Sequence, residues 1–153
     1  MAAGLHYADP RRDDVRTTYR TCWRVRQYEL DVNGHVNNAV YLNYAEQVAT
    51  EHADAAGFGP EWTAGQGGGW VVHRHEITYY RPARYGDELE LVTRVEPMRG
   101  ARGYRRTCIS RLPAGEPIAE VGTEWVWVRL ADGRPVRPPA QLLEFFRSPA
   151  APD

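Results

Sequence analysis

One stretch of this chain has helical periodicity long enough to cross a small domain, and it lies among runs that alternate with a period of two. Over residues 38–57, Leu42, Ala45, Ala49, Ala53 and Ala56 recur at helical spacing, which predicts a mostly alanine inner face. Small side chains let a helix axis approach its neighbours closely, so a sheet should envelop this helix. Asn37 or Asn38 can cap its first turn, and Gly57 suits the left-handed position just past its end.

The flanking runs read as strands. Residues 17–26 place Tyr19, Thr21, Trp23 and Val25 on one face and Arg20, Cys22, Arg24 and Arg26 on the other. Residues 58–69, rich in glycine, read as a loop. Four further strands are predicted at 70–81, 88–96, 102–112 and 119–130. The second of these buries Leu89, Leu91 and Val95; the third alternates around Tyr104, Cys108 and Leu112; the fourth puts Trp125 and Trp127 on one face. Hairpin-length connections at 97–100 and 113–115 predict an antiparallel meander of the last three strands. A short helix follows at 140–146. Residues 1–15 read as a loosely ordered arm, 16–147 as one domain and 148–153 as a tail. The order β-α-β-β-β-β is an α+β arrangement, a five-stranded antiparallel sheet wrapped around one long helix, known as the hot-dog fold.

Composition narrows the chemistry. A chain of 153 residues, 42% hydrophobic, can bury one core. A net charge of -1 gives no field to recruit nucleic acid or an anionic membrane. All 19 basic residues are arginine, so Schiff-base chemistry and a P-loop lysine are excluded. The two serines, Ser110 and Ser148, lie outside any Gly-x-Ser-x-Gly elbow, which argues against a serine hydrolase. Cys22 and Cys108 stand in separate strand-like runs, which predicts small buried or half-buried thiols in a reducing compartment. Residues 1–15 carry no apolar run for a signal peptide, and no segment approaches the ~20 apolar residues of a membrane helix. A cytoplasmic protein is expected. His73 and His75 share a strand face but have no third ligand at useful spacing, so no metal site is expected. A phosphate cradle at Gly67, Gly68 and Gly69 is disfavoured, because a strand and no helix N-terminus follows.

The polar loop feeding the helix carries the chemistry-bearing residues. Asp31, Asn33, Gly34, His35, Val36, Asn37 and Asn38, followed by Tyr41, Tyr44 and Glu46, resemble the signature of hot-dog acyl-thioester hydrolases of the 4-hydroxybenzoyl-CoA thioesterase type. The same run is similar to the core of plant acyl-ACP thioesterases. A second run, Val71 and Val72 through Ile77, Tyr79, Pro82, Ala83, Arg84, Asp87, Leu89 and Leu91, resembles bacterial acyl-CoA thioesterases associated with the Tol-Pal cluster.

The resemblance implies hydrolysis of acyl-CoA or acyl-ACP thioesters, with Asp31 as nucleophile or as base for water. It also implies that a backbone amide at the helix start, here Asn38, polarises the carbonyl. That role suits a helix N-terminus, whose free amides and dipole favour a developing oxyanion. Asn33 and His35 are candidate contributors, while Glu46 and Glu51 are the alternative helix acids. The further acid or thiol of the plant enzymes has no clear counterpart here. Tyr41, Tyr44, Val72, His73, Arg81 and Arg84 are candidate substrate contacts. Arg81, Arg84, Arg99, Arg102, Arg105 and Arg106 suit the phosphates of coenzyme A or an acidic carrier protein. Trp70, Tyr79, Trp125 and Trp127 should build the core or an acyl tunnel. No cofactor is expected beyond the coenzyme A or phosphopantetheine of the substrate itself. Family members pair their sheets, so a homodimer or homotetramer is expected, with residues 70–80 near the contact. The alternative from another class is a catalytically silent acyl-binding or scaffolding protein. Dehydratases of this fold carry a His-x-Phe-Pro-Gly run, which this chain lacks.

Overall fold

The alternating runs pair into one antiparallel sheet because each has an apolar face that only a common partner can cover. The computed structural model describes residues 14–147. The elements are β1 (Thr18–Arg24), α1 (Val40–Ala55), α2 (Pro60–Ala64), β2 (Gly68–Tyr79), β3 (Glu88–Arg99), β4 (Arg102–Arg111), β5 (Glu116–Arg129) and α3 (Ala140–Phe145). The five strands lie in the order β1-β3-β4-β5-β2, with every neighbouring pair antiparallel. The meander β3-β4-β5 is as predicted, and α1 packs across the sheet in the hot-dog arrangement. No helix among the described residues is long and apolar enough to cross a membrane. The tail at 148–153 and most of the arm at 1–15 lie outside the described residues. Asp14 and Val15 are described, and their carbonyls accept bonds from Thr17, Thr18 and His52.

Three expectations need correction. The 58–69 stretch is not all loop: α2 occupies Pro60–Ala64, with proline at its start where a missing N–H costs nothing, and Gly68 and Gly69 belong to β2. In β4 the period of two holds but the faces are exchanged. Gly103, Thr107 and Ile109 are buried, whereas Cys108 is exposed. In α1 the inner stripe is Tyr41, Tyr44, Ala45, Val48, Ala49 and His52, rotated from the alanine stripe by about one residue. The helix also starts at Val40, after an Asn38-Ala39 turn, with the Asn37 side chain accepting the Ala39 amide at 3.0 Å.

The helix ends as its sequence directs. Gly57 has φ +85, the Phe58 N–H donates to the Ala53 carbonyl at 2.8 Å, and the Gly57 N–H donates to that of Asp54 at 3.0 Å. This pair of bonds is a Schellman motif, which satisfies carbonyls the helix would leave free.

The core is divided. One apolar cluster gathers Val25, Val36, Tyr41, Tyr44, Val48, Leu89, Leu91, Ile109 and Ile118; the other gathers Phe58, Trp127, Leu142 and Phe146. Buried polar groups lie across the sheet as well. Thr107 donates to Thr93 at 3.0 Å, Arg105 to Thr93 at 3.3 Å, and the His75 ring bonds Thr123 at 2.9 Å. His52 is 0% exposed and joins α1 to this row. Its Nδ1 lies 2.8 Å from Arg105 and its Nε2 lies 2.6 Å from the Val15 carbonyl. Arginine can only donate and a carbonyl can only accept, so the ring is neutral with its proton on Nε2.

Burial, followed by the Arg105 charge, pulls the His52 pKa from 6.5 to about 4. The folded ring therefore resists a proton that the unfolded ring accepts. Its contribution is fully present above pH 6.5 and is lost as pH falls towards 4. At roughly 1.4 kcal/mol per unit this amounts to about 3 kcal/mol. The stability gap between wild type and His52→Gln should shrink by about that amount between these pH values, as read by urea denaturation. A gap independent of pH would contradict the neutral buried ring.

Candidate active site

The loop before α1 is built around one carboxylate. Asp31 Oδ1 accepts the backbone N–H of Asn33 at 2.8 Å and that of His35 at 3.2 Å. The Asp31 N–H donates to the His35 carbonyl at 2.7 Å, and the turn closes through Gly34 at φ +73. This is the Asx-type turn that an aspartate followed by polar residues favours. Oδ2 bonds to no described residue, and Asp31 as a whole is half-buried.

Both flanks of the loop are tied down. Leu30 bridges to Val36 and His35 bridges to Arg84, while the Val36 N–H donates to the Ala83 carbonyl at 2.8 Å. The Asn37 N–H donates to the Glu29 carbonyl at 2.9 Å, and Glu29, 5% exposed, caps its own turn by accepting the Arg26 N–H at 3.0 Å. The loop, part of the β1–α1 connection, is thereby held against the β2–β3 connection.

Asn38 is exposed, and its N–H donates to no described residue. Its carbonyl accepts the Tyr79 hydroxyl at 2.8 Å, which ties the start of α1 to the end of β2. His35 Nε2 faces the Arg84 guanidinium at 3.4 Å, so that nitrogen accepts. Asp31, Asn33, His35 and Arg84 are thus held together, and Asn38 follows in the same loop with its own tie to Tyr79.

The other candidates are placed elsewhere. Tyr41 and Tyr44 are 2% and 5% exposed and pack edge-on, with ring centroids 6.0 Å apart. Burial pushes both phenols up, and the Glu29 carboxylate adds to the effect at Tyr44. Val72 is exposed on β2, and a bulge between Val72 and Arg74 takes His73 out of the ladder. His73 and His75 therefore do not form the regular pair expected, and no group of three or more ligand-type residues exists among the described residues. Glu51 is half-buried, and burial raises its pKa. Half of the arginine patch is engaged in ion pairs: Arg81 with Glu116, Arg102 with Glu124, and Arg106 with Glu120. Arg105 is not a surface residue of that patch at all but bonds His52 and Thr93.

Beyond the loop, a cavity of about 460 Å³ opens behind the second half of α1. Ala49, Ala53, Trp70, Trp125 and Phe146 contribute to its walls, with Glu46 and Arg105 among its polar lining. His52 and Arg105 were hidden from sequence reading because a histidine on a helix and an arginine on a strand resemble ordinary surface residues. For His52 the available signal was phase, which places it on the face of Tyr44, Ala45, Val48 and Ala49; Arg105 shares its face with Thr107 and Arg111 as well as Ile109, so its phase gave no such signal.

A Cβ at Gly34 would meet nothing within 4 Å, so substitution there tests backbone conformation alone. Gly34→Ala should cost about 1 kcal/mol and Gly34→Asn clearly less, since asparagine tolerates the left-handed region. Denaturant midpoints give the comparison; equal costs would contradict the turn geometry.

Comparison with known proteins agrees with this architecture. The family model of the thioesterase-like superfamily matches residues 25–146. An acyl-acyl carrier protein thioesterase of Arabidopsis thaliana chloroplasts, ATL2, is 34% identical over 80% of this chain and 65% of its own length. The chain thus spans just under two thirds of that relative. The long-chain acyl-CoA thioesterase FadM of Escherichia coli is 31% identical over 70% of this chain and 80% of its own. Among solved structures, the probable thioesterase YbaW of Escherichia coli superposes with a TM-score of 0.71 at 28% identity, covering 82% of this chain and 94% of that one. A 1,4-dihydroxy-2-naphthoyl-CoA thioesterase from Synechocystis superposes at 0.78 with 16% identity, covering 84% of this chain and 95% of that one, which is likeness of fold. The matched residues run from just before the Asp31 loop through α1 and the last four strands to α3, and this chain belongs to the thioesterase-like superfamily.

Proposed function

We propose that this protein hydrolyses acyl thioesters of coenzyme A or acyl carrier protein. Asp31 acts as base for water or as nucleophile, and the Asn38 amide donates to the developing oxyanion. Asn33 and His35 hold the loop and the attacking group in place. The observation that carries this reading is the division of labour on Asp31: Oδ1 is fixed by two amides while Oδ2 is unengaged by any described residue. A thioester is already activated, so an ionised acid, water and an oxyanion donor suffice, and the reaction as proposed needs no metal or redox group.

The reading also favours assembly. β2 forms one edge of the sheet over twelve residues, with Val71 45%, Val72 37% and Tyr79 45% exposed, and Tyr80 just past its end 53% exposed. A long edge with apolar residues is a template for another strand. Pairing of two copies along β2 would bring the second copy beside the Tyr79–Asn38 contact and wall the loop of Asp31. The acyl thioester would then bind at the boundary between copies.

Asp31→Asn keeps an oxygen for both amides and removes the carboxylate, so the loop should stay folded while thiol release falls by about 10²-fold or more. Assay of an acyl-CoA and acyl-ACP panel decides: unchanged release sinks the Asp31 assignment, and no release from wild type favours a silent acyl-binding protein. Val72→Asp should yield monomers in sedimentation analysis and reduce turnover. A wild type already monomeric would remove the paired-sheet reading.

A further inference from the structure

The cavity behind α1 is lined mostly by apolar side chains, and one of its few polar groups is a cation that no described residue neutralises. Arg105 lies on the inner face of β4, opposite Thr123 on β5, and contributes to the cavity lining. Its Nη1 donates to His52 Nδ1 and Thr93 Oγ1, both neutral acceptors. Its Nε and Nη2 bond to no described residue, and no described carboxylate pairs with it. Glu46, the cavity's acidic residue, is exposed and makes no ion pair with it. A second donor in the same lining, the indole N–H of Trp125, is buried without a partner.

Elsewhere the chain pairs its arginines freely, as at Arg81, Arg102, Arg106 and Arg111. A charge out of water is normally retained only with a counter-ion or a full set of acceptors. Arg105 has neither, and its residual surface lies against a cavity walled by alanines and aromatic rings. Its partial exposure is thus exposure to the cavity it lines. Burial lowers its pKa only to about 10, so the group stays charged at neutral pH.

We propose that this cavity is a binding site for an alkyl carboxylate, with the tail against the apolar walls and the carboxylate on the free edge of the Arg105 guanidinium. Two donors on one side of a planar guanidinium match two carboxylate oxygens, an arrangement lysine would not provide. The site's use in turnover rests on the thioesterase reading; the binding itself does not. Within that reading the carboxylate has two sources. It is the released acid, held after hydrolysis, or it is a distal carboxyl on the acyl chain of the thioester.

Trp70 and Trp125 line the cavity, so tryptophan fluorescence reports its occupancy. Dodecanoate and dodecanol, titrated below their aggregation limits, share a tail and differ in head group. Wild type should bind the acid at least about tenfold more tightly than the alcohol, the scale of one charge-assisted contact. Arg105→Gln should lose that preference. Ala53→Phe, which fills the cavity and leaves the His52–Arg105 bond alone, should weaken both ligands. Equal binding of acid and alcohol by wild type overturns the proposal, as does an acid preference that survives in Arg105→Gln. So does binding unaffected by Ala53→Phe.

The source is separated by turnover. A preference for ω-carboxyacyl-CoA over plain acyl-CoA of equal length, lost in Arg105→Gln, marks a distal carboxyl. Inhibition of plain acyl-CoA hydrolysis by added dodecanoate, relieved in Arg105→Gln, marks the product. If no thioester is cleaved, the hydrolase reading fails while the fluorescence result still decides the site.

Discussion

The contact between His52 and Arg105 sets the terms for much of this molecule. A helix crossing a sheet usually buries only apolar groups, yet here a fully buried histidine meets a guanidinium at 2.8 Å. The arrangement is tolerable because His52 is neutral and both its nitrogens are used, one accepting from Arg105 and one donating to Val15. The same ring stacks on Tyr19 with centroids 5.7 Å apart and meets Phe146 edge-on at 5.7 Å. One side chain thus gathers the segment before β1, β1 itself, β4 and the residue following α3. Charging it would set two cations face to face with the ring itself wholly buried, so the neutral state is a condition of the packing.

The two ends of α1 do different work. At its start, Asn37 holds the turn before the helix through the Ala39 amide, while Asn38 gives its carbonyl to Tyr79 and keeps its amide unspent. At its end, the Ala53 and Asp54 carbonyls are drawn into the Schellman turn through Phe58 and Gly57. The first end is left chemically open and the second is closed. The Asp31 loop shows a similar economy. A turn-forming aspartate and a catalytic one are often treated as rival readings, but a carboxylate has two oxygens. One builds the turn here, and the other is available.

The order of strands along the chain, the meander of the last three, the single long helix and its Gly57 terminus were legible because each rests on local rules: period, turn residues and left-handed glycine. The facing of elements was less so, and α1 shows why. Tyr41, Tyr44, Val48 and His52 follow the same helical spacing as Leu42, Ala45, Ala49 and Ala53, offset by one residue. Periodicity cannot choose between adjacent stripes, and polarity favoured the wrong one, since tyrosine and histidine bury well once their polar atoms find partners. Tyr41 does so against the Ala83 amide at 3.4 Å. In β4 the same ambiguity was resolved wrongly because Arg105 stands on the inner face, where sequence logic places no arginine. The loop motif from Asp31 to Asn38 was readable as a unit. That His35 faces Arg84 was not, because that contact joins residues 49 positions apart.

The misplaced alanine stripe has its own significance. Ala49, at the edge of the buried stripe, and Ala53 beyond it line the cavity together with Trp70 and Trp125. Larger residues there would fill the space that the aromatic walls enclose, so small side chains preserve volume in place of contact. From Val40 to His52 the helix rises roughly 18 Å at 1.5 Å per residue. A ligand spanning the open end of α1 and the His52–Arg105 pair would have to be long, thin and largely apolar, which are the properties of an extended acyl chain. The loop at one end and the walled cavity at the other are therefore linked by the one element whose length fixes their separation, and α1 serves as spacer as well as core.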